Sequence, residues 1–171
     1  MNSQFYRACS IGIIVTLIAL QTSAAGQPQA GQDALPMRLT HTLHSREGFE
    51  PLEPWAASFV VRGGDKHAYR DIFDGDLDVG LYESKDEKVR LEKQPYDEFV
   101  YVVRGEAVLT PEGHEAQHYR SGDFFLVPKG YTGTWETKND YRELVVVEAA
   151  SSARAEKYWL KGLPDPSTDN H

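Results

Sequence analysis

From about residue 58 onward, the chain alternates apolar and polar residues in short segments. Leu77, Val79 and Leu81 are separated by Asp78 and Gly80, a period of two that is typical of β-strands. Turn-forming residues such as those at 74–75 separate the segments. Segments with this pattern, or with a continuous apolar run, are 77–82, 88–92, 99–109, 114–119, 124–127 and 144–147, and the last two are expected to be buried. Strands so short and closely spaced predict an all-β sandwich or barrel.

A single helix is expected after the strands, over residues 152–161. Ser151 or Ser152 is suited to cap its start, and Gly162 is suited to end it. The remaining tail contains two prolines and mostly polar residues. We therefore assign residues 151–171 to a C-terminal helix and tail, after a barrel domain over residues 37–150.

The first 25 residues have the composition of a secretory signal peptide. Arg7 is the one charged side chain, an apolar run follows over residues 11–20, and Ser23, Ala24 and Ala25 provide small residues for cleavage. The apolar run is too short to span a bilayer, although a membrane anchor is the alternative interpretation. Residues 1–25 are thus predicted to be removed on export, which places the protein outside the cell or in a periplasm, and residues 26–36 form a linker.

Cysteine content and charge narrow the possible functions. The one cysteine, Cys9, lies within the predicted signal peptide, so the exported protein has no thiol nucleophile and no disulfide. The chain has 26 acidic against 18 basic residues and a formal net charge of −8. Such a surface repels nucleic acid and anionic lipid, and we expect neither as a partner.

Two segments resemble the later parts of the two motifs that define cupin barrels: residues 98–105 (EFVYVVRG) and residues 122–130 (GDFFLVPKG). With Tyr96-Asp97 before the first and 131–136 (YTGTWE) after the second, they resemble the ureidoglycine aminohydrolase-like cupin family. The resemblance covers about residues 73–148. It implies a single RmlC-like jelly-roll barrel, a double-stranded β-helix, with a ligand site inside. Tyr82 stands where many members have tryptophan, which makes it a candidate ligand-binding residue.

The histidines that bind metal in many cupins are absent from this chain. Counting from Glu98, their first two positions fall on Leu91 and Lys93, or on Glu92 and Gln94, and the third falls on Gly133. Leucine, lysine and glycine are not metal ligands, and a catalytic transition metal normally needs about three ligands. We therefore expect no metal and no other cofactor. In the second alignment, however, Glu92, Gln94 and Glu98 would offer oxygen ligands suited to a hard cation.

Glu98 is the main candidate for chemistry in the barrel. If it points inward with Val100 and Val102, burial should raise its pKa, and it could bind a ligand or act as a general acid or base. The alternative is a structural carboxylate that pairs with Arg90, Lys93 or Arg142. Strand alternation places Lys93 on the same side as Val89 and Leu91, at the mouth of the cavity.

Trp135 and the histidines complete the candidates. Trp135 shares a face with Gly133 and is either a core residue or an aromatic wall for a flat or sugar-like ligand. The six histidines, at positions 41, 44, 67, 114, 118 and 171, are all expected at the surface. His114 and His118 should share one face of a strand, four residues apart.

Two functions remain open from the sequence. The first is an exported, metal-free cupin that holds a small organic ligand, sugar-like or a carboxylate, with Glu98, Lys93, Tyr82 and Trp135 as ligand-binding residues. The second is a cupin enzyme, ureidoglycine aminohydrolase-like, that uses Glu98 on a small polar substrate. Because Phe99, Tyr101 and Val103 are apolar on the outer face of their strand, a homodimer is also expected.

Overall fold

The computed structural model describes residues 35–155 and Tyr158. Within them, the chain forms a nine-stranded antiparallel sheet and one short α-helix. The strands are β1 (Glu50–Pro51), β2 (Val60–Arg62), β3 (His67–Asp74), β4 (Leu77–Ser84), β5 (Glu87–Leu91), β6 (Glu98–Pro111), β7 (Gln117–Arg120), β8 (Phe124–Val127) and β9 (Gly133–Glu148). The helix is α1 (Ala149–Arg154), and a 3-10 turn at Thr42–His44 precedes the sheet. The predicted all-β jelly-roll barrel is confirmed.

Two long strands, β6 and β9, organise the sheet. They pair with each other from Phe99 opposite Val146 to Pro111 opposite Gly133. The other edge of β9 pairs with β5 through its first half and with β4 through its second half. The short strands β7 and β8 pair with β6, β3 and β1 extend the sheet beyond β4, and β2 pairs with β5. This curled arrangement encloses the apolar core.

Both long strands bend at the same level, and this bend forms a corner of the barrel. Gly105 in β6 has a φ of +80°, while Asn139 and Asp140 in β9 have φ values of 62° and 53°. A side chain at Gly105 would lie 2.5 Å from the carbonyl oxygen of Lys138. Glycine is therefore required at this position both by the backbone conformation and by the close approach of the two strands.

A buried arginine fastens the segment before β1 to the outside of the sheet. The guanidinium of Arg142 is 2% exposed and donates to Glu83 Oε2 at 2.6 Å. It also donates to the carbonyl oxygens of Leu43 and Ser45, at 3.2 and 2.8 Å, and lies 4.5 Å from the centre of the Phe49 ring. All donors of a buried cation need partners, and this segment accepts two of the four hydrogen bonds that the guanidinium makes with the described residues, while Glu83 accepts the other two.

Some details of the strands differ from the sequence-based expectation. The segment 124–127 forms β8, but it is buried on one face only: Phe124 and Leu126 are 69% and 62% exposed. The polar strand expected over 114–119 begins at Gln117, so His114 lies in the preceding turn and does not share a strand face with His118. His118 instead hydrogen-bonds Glu106 on β6 at 2.9 Å.

The helix begins earlier than expected. It starts at Ala149, its N-cap is Glu148 rather than Ser151 or Ser152, and no side chain caps it. The prediction failed because the serines occupy the first turn, where Ser151 donates a hydrogen bond back to Glu148. The signal peptide, residues 26–34 of the linker and most of the C-terminal tail lie outside the described residues. In the described part, the helices lack the length and hydropathy needed to cross a membrane.

Candidate ligand-binding site

A small cavity lies inside the barrel. The space accessible to the centre of a water molecule is about 50 Å³. One water needs roughly 10–15 Å³ by this measure, so the cavity has room for a few waters or a ligand of a few non-hydrogen atoms. Its polar lining residues are Glu87, Gln94, Glu98, Thr137 and Glu143. Its aromatic walls are Trp55, Tyr82, Tyr96 and Trp135.

The three glutamates reach the cavity through the same local pattern. Each is followed two residues later, on the same strand, by a buried valine: Val89 after Glu87, Val100 after Glu98 and Val145 after Glu143. A period of two places each pair on one face of its strand. Each carboxylate therefore sits on the inner face of the barrel, beside an apolar residue of the core.

Glu98 points inward with Val100, the orientation for which the sequence analysis expected a raised pKa. Its Oε2 accepts a 2.6 Å hydrogen bond from Gln94 Nε2. Burial raises the pKa of Glu98 to about 7, and the hydrogen bond from Gln94 partly offsets this rise. The alternative of an ion pair with Arg90, Lys93 or Arg142 is wrong. Arg142 is directed to the outer face toward Glu83, Arg90 pairs with Glu112, and Lys93 is exposed and lines a different cleft.

Glu143 is a second buried acid that the sequence analysis missed. Tyr141 donates a hydrogen bond to its Oε2. Burial, followed by the charge of Glu98, raises the pKa of Glu143 well above its ordinary value. Two neighbouring carboxyl groups in one cavity resist simultaneous ionisation, so an added positive charge would stabilise both anions.

Glu87 belongs to a hydrogen-bonded chain with Tyr82 and His67. Tyr82 Oη lies 2.5 Å from Glu87 Oε1 and 3.1 Å from His67 Nδ1, and His67 Nε2 lies 2.7 Å from the carbonyl oxygen of Glu53. A carbonyl only accepts, so Nε2 carries a hydrogen. Tyr82 has one proton for two contacts, so either His67 is protonated and Glu87 ionised, or His67 is neutral and Glu87 protonated. The His67–Glu87 pair has no net charge in either case.

His67 therefore corrects the expectation that every histidine lies at the surface. It is 6% exposed, and its ring packs edge-on against Trp55 at 5.2 Å between ring centres. Its position as the first residue of β3, opposite Ser84 on β4, brings it next to Tyr82 and Glu87. The isolated histidine in a polar stretch gave no indication of this role.

The expected orientation of Lys93 is wrong. Strand β5 ends at Leu91, and Lys93 has a φ of 53°, so the alternation of faces stops before it. Lys93 is exposed and lines a separate surface cleft with Arg90, Glu92 and Glu112.

Gln94 takes the inward position instead. Its backbone is held by two hydrogen bonds, to Tyr131 at 2.9 Å and from Gly130 at 2.7 Å. These bonds fix the loop after β5 against the loop after β8.

Tyr82 and Trp135 both line the cavity, as the sequence analysis proposed for ligand-binding residues. Trp135 packs against Phe125 at 5.7 Å between ring centres, so it belongs to the core as well as to the cavity wall. Leu91 is buried and faces the cavity. Gly133 has no room for a ligating side chain, because a Cβ there would lie 2.4 Å from the carbonyl oxygen of Thr110.

The charges around the cavity are unbalanced. Among the described residues that line it, there is no lysine, arginine or histidine. The same part of the chain contains no group of three or more histidine, cysteine, aspartate or glutamate side chains arranged to hold a metal ion. The cavity is thus an acidic, aromatic-walled chamber in which Glu87 is paired with His67 just outside the lining, while Glu98 and Glu143 have no basic partner among the lining residues.

Comparisons with known proteins agree with this architecture. Residues 73–143 match the family model of the EutQ-like cupin domain. No curated protein matches the chain. A protein of unknown function from Pseudomonas syringae pv. tomato has a similar structure, with a TM-score of 0.51 and 18% identity over 58% of this chain and 43% of that one.

Two further solved structures are also similar. The EutQ protein of Clostridium difficile has a TM-score of 0.45 and 24% identity, covering 52% of this chain and 66% of that one. A cupin superfamily protein from Desulfitobacterium hafniense has a TM-score of 0.43 and 19% identity, covering 48% and 77%. Identities this low relate folds rather than functions. The strand arrangement and the matched domain together identify this chain as a protein of the cupin fold.

Proposed function

We propose that this protein is an exported cupin that holds a small organic ligand in its barrel without a metal ion. The observation that carries the proposal is the cavity itself, in which Glu98, Gln94 and Glu143 converge between the aromatic walls formed by Tyr82 and Trp135. A concave site with a few polar groups on an apolar, aromatic lining is the usual form of a small-molecule site.

The absence of a metal is proposed from the chemistry of the side chains. Under the first alignment, the positions that hold metal in many cupins are Leu91, Lys93, Glu98 and Gly133. Only Glu98 has a ligating side chain in the cavity. Leu91 cannot ligate, Lys93 lines the outer cleft and Gly133 has no side chain. Under the second alignment Glu92 is exposed, which leaves Gln94 and Glu98. Two oxygen ligands from these positions are too few for a tightly held divalent ion. Glu87 and Glu143 also line the cavity, but each is already hydrogen-bonded to a tyrosine, and the described residues contain no group of three such side chains arranged to hold a metal ion.

Native mass spectrometry of the gently purified protein, combined with elemental analysis, tests both parts of this proposal. We expect an organic adduct that is lost on unfolding and weakened by Glu98→Gln, with far less than one metal per chain. Glu112→Gln, which removes an equal charge from an exposed position, should retain the adduct. One metal per chain that is lost in Glu98→Gln would overturn the proposal. N-terminal sequencing of secreted or periplasmic material should begin near Gly26 if the protein is exported.

A second candidate function is an enzyme that uses Glu98 as a general acid or base. The observation that favours it is the pKa of about 7 in a cavity, which allows a carboxyl group to donate and accept a proton near neutral pH. Mass spectrometry of metabolite mixtures incubated with the protein tests this function. A compound consumed by the unmodified protein and by Glu112→Gln, but not by Glu98→Gln, would support catalysis; unchanged mixtures would favour a binding role.

A further inference from the structure

Hydrogen-bond donors and acceptors in the cavity are not balanced. The donors of Gln94 and Tyr141 are directed to the carboxylates of Glu98 and Glu143, and the Tyr82 hydroxyl is shared between Glu87 and His67. Each of these bonds to a carboxylate satisfies one of its oxygens.

Two buried acceptors in the cavity lining have no hydrogen-bond partner among the described residues. They are Gln94 Oε1 and Glu87 Oε2, and both residues line the cavity and are more than nine-tenths buried. His67 Nδ1 lies 3.6 Å from Glu87 Oε2, which is too long for a hydrogen bond. A buried acceptor without a donor costs on the order of 1–3 kcal/mol, which a ligand with several N–H groups would recover.

The acidic side chains and the aromatic walls of the cavity both favour a cationic ligand. The charge of Glu87 is balanced by His67 or by a proton, but Glu98 and Glu143 face the same cavity, which has no basic side chain in its described lining; an anion would therefore be repelled and a cation attracted. The faces of tryptophan and tyrosine rings also attract cations. Of the ligand classes that the sequence left open, a carboxylate is opposed by this lining.

We infer that the ligand is a small protonated amine, whose ammonium group donates to the unsatisfied oxygens of Gln94 and Glu87 and to one carboxylate of the Glu98–Glu143 pair. This inference rests on the proposed function, because it names the ligand class of the same cavity. A primary ammonium group has three N–H donors, which fits an acceptor-rich lining better than a quaternary ammonium group, which has none. The small volume restricts the amine to a few non-hydrogen atoms.

The inference can be tested on the unmodified protein with four small probes. Isothermal titration calorimetry at pH 8 would compare ethylammonium with ethanol, acetate and tetramethylammonium. We expect ethylammonium to bind at one site per chain and the other three to bind at least tenfold more weakly. Because no substitution is involved, this comparison does not depend on a variant that folds.

Two variants then locate the site. Glu143→Gln should weaken ethylammonium binding tenfold or more, since hydrogen bonds to a charged group contribute about 1.5–3 kcal/mol. Glu112→Gln, which removes the same charge from the surface, should change it less than twofold.

The outcomes distinguish a failure of the amine assignment from a failure of the proposed ligand-binding function. If acetate or ethanol binds in the cavity as tightly as ethylammonium, the protein holds a small ligand but the assignment of an amine is wrong. Equal loss of ethylammonium binding in both variants would mean attraction to the acidic surface alone, which also overturns the assignment. If no probe binds and no organic adduct co-purifies, both the ligand class and the proposed function fail.

Discussion

Gln94 and Glu98 are joined by a 2.6 Å hydrogen bond although both side chains are buried in the barrel. The amide is a neutral donor, so it stabilises the ionised carboxyl without cancelling its charge. Glu98 therefore keeps a pKa of about 7 despite this partner, because burial outweighs the hydrogen bond. This balance has a consequence for stability that can be measured.

Glu98→Gln should stabilise the protein at high pH. The folded-state pKa is raised from 4.5 to about 7, so the folded protein binds a proton that the unfolded chain has released between these values. The free energy of unfolding is then highest below about pH 4.5, falls as pH rises and levels off above about 7. The total loss is on the order of 3 kcal/mol.

Chemical denaturation between pH 4.5 and 8.5 measures this effect. The variant should match the unmodified protein at pH 4.5 and exceed it at pH 8, with a flatter profile. Glu112→Gln is exposed and should follow the unmodified protein throughout. A Glu98→Gln profile parallel to that of the unmodified protein would contradict the raised pKa.

Arg142→Ala should be strongly destabilising. Removal of the guanidinium breaks its contacts with Glu83, Leu43 and Ser45 and leaves their oxygens without this donor. Breaking a buried ion pair costs about 3–5 kcal/mol, and the partial exposure of Glu83 favours the lower end. Urea denaturation gives the loss, and limited proteolysis should show faster cleavage near residues 43–49.

Arg104→Ala is the matched control for this prediction. Arg104 also approaches Glu83, at 3.8 Å, but its side chain is 43% exposed. An exposed pair contributes about 0–1 kcal/mol, so this variant should stay close to the unmodified protein. Similar losses in the two variants would show that burial of Arg142 is not what matters.

Gly105→Ala should prevent correct closure of the barrel corner. The new Cβ would lie 2.5 Å from the Lys138 carbonyl oxygen and 2.8 Å from the Tyr141 Cα, both backbone atoms that cannot move aside easily. Gly113 has a similar φ of +74° but open space around it, so Gly113→Ala isolates the cost of backbone conformation, about 1–2 kcal/mol. Thermal denaturation of the pair should show a much larger loss for Gly105→Ala; equal losses would exclude the steric contribution.

A homodimer remains a prediction, and the structure suggests which surface to test. Val103 is buried within the chain itself, whereas Phe99, Phe124 and Leu126 form an exposed apolar patch on neighbouring strands. We expect Phe124→Asp to convert a dimer into a monomer in light scattering at micromolar concentration. Val61→Asp, at an exposed position on β2, should not. A monomeric unmodified protein would rule out the dimer at that concentration.

The sequence predicts the fold and part of the site because strand alternation carries the relevant information. Glu98 in β6 and Trp135 in β9 lie on the inner face because each continues the alternation of inward-facing residues along its own strand. Lys93 could not be placed this way, since its positive φ lies beyond the end of β5 and interrupts the period. A positive φ at lysine has no reliable sequence signal.

Glu87 and Glu143 were missed for a different reason. Glu87 stands between Asp86 and Lys88, and Glu143 directly follows Arg142. Neighbouring charged residues of this kind usually lie in solvent. The signal that could have found them is the valine two residues further along each strand. His67 has no comparable signal, because its contacts with Tyr82 arise only when β3 pairs with β4.

Because Trp55 forms part of the cavity wall, a fragment that keeps the cavity intact must begin before this residue. The segment that matches the cupin domain, residues 73–143, omits this tryptophan, the strand β2 that pairs with β5, and Val145. A polypeptide trimmed to that segment would expose the chamber to solvent on one side and lose the end of its longest strand. Crystallisation and truncation studies should therefore retain residues from about Leu43, where the Arg142 contacts begin, through at least Val147.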